Sequence, residues 1–292
     1  MKMKKIDTHN IISGRSISMK LSSAAKSGIA LLVIATGVSL FAEESATVSN
    51  TAQPAQSVQK DIVKLIDIAG KQRMLSQRIA KDYLYIGRKV ALTKAKKQLA
   101  SALDEMTRIH EHLKRSINDP EIQNLLSFVE LSIEDFKATA NEPYSLDNAQ
   151  LIIDLSESML EGSQYVVNSL KEKVNLNESK IVGMSGKQRM LAQRIAKYYI
   201  AYQQGIQDKN TVDQMKAAVS EFSKVHETLM SNKDNSPQIN RELNGIDRLW
   251  KIVYKFYLNI EKGGLPLIVF NTTDDITERM NNITELYVRQ YQ

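Results

Sequence analysis

The sequence predicts an all-α protein: two tandem antiparallel four-helix bundle modules, packed either end to end or side by side as an intramolecular pseudo-dimer. Three observations predict it. A twelve-residue box occurs twice, as GKQRMLSQRIAK over 70–81 and GKQRMLAQRIAK over 186–197, differing only at Ser76 against Ala192. Apolar residues recur at helical spacing through almost all of the chain beyond residue 56, without the sustained alternation that strands need. Gly and Pro are few, 12 and 5 among 292 residues, and Pro120, Pro143 and Pro237 stand where the helical pattern breaks.

The first 42 residues read as a secretory leader, because Lys2, Lys4, Lys5, Arg15, Lys20 and Lys26 precede an apolar run over 28–41. That run is shorter than the ~20 residues of a spanning helix, and Ala42 before Glu43 suits cleavage. Export is therefore expected, with an uncleaved leader as an N-terminal inner-membrane anchor the alternative. The leader holds six of the 39 Lys and Arg and one of the 33 acidic residues, so the mature chain is nearly neutral. The positive formal charge thus lends no support to nucleic-acid binding. With no Cys there is no disulfide-linked partner, thiolate metal site or cysteine-borne anchor.

Residues 43–56 are rich in Ser, Thr, Ala and Gln and read as a flexible lead-in. The first module spans 57–174, with helices expected near 57–90, 92–117, 120–139 and 146–173. The second spans 175–292, with helices near 179–206, 210–231, 237–261 and 272–290. Asn118-Asp119-Pro120, Asn141-Glu142-Pro143 and the stretch over 232–237 supply the expected caps and turns. An ungapped offset of 116 residues pairs Tyr83 with Tyr199, Gln98 with Gln214, Glu105 with Glu221 and His110 with His226. Near Pro120 and Pro237 the register slips by one, and beyond it the copies share a pattern more than letters.

On a helix the box divides into faces. Leu65, Ile68, Ala69, Gln72, Leu75, Ile79 and Tyr83 form a core stripe. Beside it run Ile66, Gly70, Arg73, Gln77, Ala80 and Leu84, repeated as Val182, Gly186, Arg189, Gln193, Ala196 and Ile200. Small residues and apolar ends make this second stripe resemble a helix–helix interface with a cation in its middle. Lys71, Arg78, Lys81 and their counterparts Lys187, Arg194 and Lys197 point elsewhere. A helical arginine ordinarily faces solvent, but Lys, Gln and Arg are letter-identical here, whereas the downstream helices keep mainly their apolar pattern.

A buried guanidinium needs a carboxylate or a bound anion. No acid lies on the stripe in either copy, so a small planar oxyanion between Arg73 and Arg189, with backbone open at Gly70 and Gly186, is the expected solution. Four charge-assisted hydrogen bonds, less desolvation and immobilisation, suit roughly micromolar binding.

At these residues the sequence resembles the sensor module of nitrate/nitrite sensor histidine kinases and the N-terminal domain of the type IV pilus methyl-accepting chemotaxis protein. The shared box has the form A-G-x-x-R-M-x-S-Q-R; Ala69 to Arg78 fit every fixed position, and the second copy departs at Ser185 and Ala192. The resemblance implies a periplasmic four-helix bundle that binds nitrate or nitrite where two first helices meet. It puts the key arginines at Arg73 and Arg189 and the key glycines at Gly70 and Gly186, with Gln77, Gln193, Arg78 and Arg194 in support. Family members usually carry membrane helices and an output domain, so a separate membrane sensor kinase or chemoreceptor is the expected partner. A ligand-free helical adaptor that docks on such a receptor is the competing reading.

No enzyme motif, phosphate loop or dinucleotide fingerprint occurs, so neither catalysis nor a cofactor is expected. His110, His112 and His226 lack the acidic company of a metal site, and the eleven Met residues sit mostly at core spacing.

Overall fold

The α1–α2 corner and the caps at the later junctions set the helix boundaries in a computed structural model, which describes residues 53–174, 176–262 and 264–290. The leader expected over 1–42, and most of the lead-in, lie outside the described residues. Eight α-helices follow in order: α1 Gln53–Arg88, α2 Leu92–Ser116, α3 Pro120–Asn141, α4 Leu146–Lys171, α5 Leu176–Gln203, α6 Lys209–Met230, α7 Pro237–Leu258 and α8 Pro266–Gln290. A single 3-10 turn, Ile260–Lys262, lies between α7 and α8, and no strand occurs among the described residues.

The punctuation works as its chemistry requires. Asp119 accepts hydrogen bonds from the amides of Glu121 and Ile122 with Pro120 in the first turn of α3, and Ser236 caps α7 beside Pro237 in the same way. Ser145 caps α4 and Asp208 caps α6. The first corner turns through Lys89 and Ala91 at φ of 57° and 47°, whereas the second uses Gly205 at 97°, where only glycine is free of strain. The largest departure from expectation is α8, which begins at Pro266 rather than near residue 272; α1 also begins early, at Gln53, inside the stretch expected as lead-in. Proline lacks an amide that the first turn would leave unbonded anyway, so it can open this helix.

The helices α1, α2, α3 and α4 close one ring of neighbours, and α5, α6, α7 and α8 close a second. The most extensive helix contact in the molecule joins α1 to α5, so the two rings pack side by side through the helices that carry the box. These two helices are consequently covered on nearly every side. From Ala69 to Tyr85 only Lys71 and Arg78 escape full burial, and from Ser185 to Ala201 only Lys187 and Arg194 do. Gln72, Arg73, Ser76, Gln77, Lys81 and Asp82 are thus core residues, as are Gln188, Arg189, Gln193 and Lys197. The letter identity of the box follows, since each buried polar group must meet a specific partner.

Candidate functional site

Arg73 and Arg189 are only 1% and 0% exposed, and their heads meet at the α1–α5 seam. The glycines make room for them. A Cβ added at Gly70 would stand 3.2 Å from Nη2 of Arg73 and 3.3 Å from Nη2 of Arg189. At Gly186 the corresponding distances are 3.7 Å to Arg73 and 3.1 Å to Arg189. The structure therefore brings together the four residues that the sequence singled out as a ligand site.

Each arginine is steadied by an amide from the last helix of its own ring. Arg73 donates from Nη1 to Gln164 Oε1 on α4 at 2.5 Å, and Gln164 in turn donates to Asn168 at 2.7 Å. Arg189 donates from Nη1 to Asn281 Oδ1 on α8 at 3.1 Å. These amides are equivalent once the one-residue slip is applied. Sequence reasoning missed both, because they lie beyond the loop where the letters of the copies diverge.

The charges are not arranged symmetrically. Arg189 Nη2 donates to the Asp67 carboxylate at 2.6 Å and to the Asp67 carbonyl at 3.3 Å. The expectation that neither arginine meets an acid is thus corrected for Arg189: Asp67 lies on α1 one turn before Gly70, just off the stripe, and reaches across the seam. Its repeat equivalent is Gly183, so Arg73 receives no matching carboxylate and makes no ion pair among the described residues. Both Nε and Nη2 of Arg73 lack a hydrogen-bond partner. Burial, and then the Arg189 charge, lower its pKa to about 10, with Asp67 opposing. Lys171 adds to the positive field: its ammonium end fills the space beside Gly183, and burial followed by Arg73 and Lys187 lowers its pKa.

Of the residues expected in support, Gln77 and Gln193 tie helices within their own rings, and Arg78 and Arg194 reach across to the other ring. Gln77 donates to the Ser156 carbonyl at 2.9 Å and Gln193 to the Thr277 hydroxyl at 2.7 Å. Arg194 Nη2 lies 2.5 Å from Glu157, while Arg78 is 3.9 Å from Asp274. The last lysine of each box crosses between rings: Lys81 meets Asp274 on α8 at 2.7 Å, and Lys197 meets Glu157 on α4 at 2.5 Å. Burial would raise both carboxyls, but Lys81 with Arg78, and Lys197 with Arg194, hold them below their ordinary values. His110 and His226 stay within their own rings, the first against Gln72 at 3.3 Å and the second stacked on Phe222.

The model of the type IV pili methyl-accepting chemotaxis transducer N-terminal family, PilJ, matches residues 57–126 and 173–262. The chain belongs to the PilJ family. Each matched PilJ segment contains one copy of the box on a ring's first helix, so the two segments coincide with the repeat read from the sequence. Membership of PilJ, the N-terminal part of a chemotaxis transducer, sets this seam in a family of signal-input modules. No curated protein and no solved structure matches the chain. No described helix is long and apolar enough to cross a membrane.

Proposed function

We propose that the chain is an exported sensing module that binds nitrate or nitrite between α1 and α5, acting with a separate membrane kinase or chemoreceptor in the periplasm. The observation that carries this reading is the Arg73 head: buried, short of a counter-charge, and with Nε and Nη2 unused, Nη2 standing beside Gly70 and Gly186. Such a guanidinium is costly to keep dry, and a planar oxyanion supplies both the missing charge and the missing acceptors. Because α1 and α5 belong to different rings, an anion there ties the rings together and biases their relative packing, which a partner can read. The box residues expected to assist, Gln77, Gln193, Arg78 and Arg194, then act by fixing the packing of α1 and α5 rather than by touching ligand.

The Asp67–Arg189 pair is the one observation that favours a ligand-free adaptor, since it already neutralises half of the seam. Thermal melting separates the two readings. Under the sensing proposal nitrate or nitrite raises the melting temperature and Arg73→Ala abolishes the rise; an adaptor melts at one temperature with or without either anion.

A further inference from the structure

We propose that Asp67 sets the charge class of the ligand, making the arginine seam favour singly charged anions over doubly charged ones; this rests on the anion-binding reading above. The carboxylate is buried at the edge of the seam and bonded to Arg189 Nη2, the nitrogen that also approaches Gly70. An anion held by Arg73 Nη2 and Nε beside the same glycine therefore has a fixed negative charge as a close neighbour. Arg73, Arg189 and Asp67 are all buried, so the repulsion is weakly screened.

Coulomb repulsion is linear in the charge of the ligand. Whatever factor Asp67 costs a nitrate, it costs a sulfate that factor squared, while hydrogen-bond geometry and ligand shape are untouched. The repeat gives the comparison: at the equivalent position in α5 stands Gly183, whose missing side chain leaves Arg73 unneutralised and its space to the end of Lys171. A carboxylate on both sides would close the seam with internal ion pairs. One carboxylate leaves a place for one more negative charge.

The experiment measures nitrate and sulfate affinities of the full chain by calorimetry at constant ionic strength in chloride-free buffer, for the natural protein, Asp67→Asn and Gly183→Asp. Asp67→Asn keeps the shape and an acceptor for Arg189. It is expected to tighten nitrate about tenfold and sulfate about a hundredfold, so that the sulfate-to-nitrate ratio moves about tenfold. Gly183→Asp is expected to weaken both, sulfate the more, since Lys171 can swing away from the new side chain; it carries the test alone if Asp67→Asn melts without cooperativity. Nitrate binding with an unchanged ratio in the variants overturns the role of Asp67 and leaves the site standing. No binding of either anion to any of the three proteins overturns both.

Discussion

Arg73 and Arg189 are repeat equivalents that share one buried seam, yet among the described residues only Arg189 is paired with a carboxylate, Asp67 at 2.6 Å. A homodimer with the same contact would repeat that ion pair on both sides. Joining the copies in one chain lets them diverge, and Asp67 against Gly183 is such a divergence placed where charge matters most.

The two arginines should therefore respond oppositely to removal of charge. Arg73→Met replaces an unpaired buried cation by a side chain of similar length and is expected to leave anion-free stability unchanged or raise it by about 1–4 kcal/mol. Arg189→Met strands the Asp67 carboxylate and should cost about 3–5 kcal/mol. Urea denaturation in anion-free buffer measures both, and equal losses would contradict the asymmetry.

Gly70→Ala and Gly186→Ala should separate binding from stability. The added Cβ stands 3.1–3.3 Å from a guanidinium nitrogen and displaces it by a few tenths of an ångström. Alanine also favours a helix over glycine by about 1 kcal/mol, so the variants should melt no lower than the natural protein while binding nitrate about tenfold more weakly. Melting curves with and without nitrate read both quantities.

Asp82 is a buried liability of the first copy, standing where the second has Tyr198. Burial raises its pKa to about 6, against the pull of Lys81 and Arg78. Between the ordinary aspartate value and about 6 the folded protein holds more protons than the unfolded chain, so this group lowers stability as pH rises through that window. The loss persists above it. Asp82→Asn should match the natural protein near the bottom of the window and exceed it at neutral pH by on the order of 2 kcal/mol, as read by denaturation across pH.

The crossed lysine ties should behave as buried pairs. Burial brings Lys197 down to about 8 even with Glu157 opposing. Glu157→Gln leaves that ammonium without its carboxylate and should cost about 3–5 kcal/mol, whereas adding Lys197→Met to it should restore most of the loss. A double-mutant cycle in urea shows whether the pair is coupled.

Most helix ends were legible because Asp119-Pro120, Ser145 and Ser236-Pro237 carry local chemistry that tertiary packing does not override. The start of α8 was not, since proline opens a helix as readily as it stops one and Pro266 opens this one ahead of the expected start near 272. At the seam, Gly70, Arg73, Gly186 and Arg189 stood out through the duplicated letters. Asp67 did not, because it sits beside the stripe rather than on it and its counterpart is Gly183. Lys81 and Lys197 were read as pointing elsewhere, although their identity in both copies was the available sign of burial. Their partners Asp274 and Glu157 become equivalent only after the one-residue slip, as do Gln164 and Asn281; carrying that slip through the last helices would have exposed the pattern.

The central claim is one anion between Arg73 and Arg189 in each chain, and calorimetric titration of nitrate or nitrite into the full protein tests it most directly. The expected result is saturable binding near micromolar strength with one ligand per chain, lost in Arg73→Ala. No heat with either anion, or a stoichiometry of two per chain or one per two chains, would contradict it.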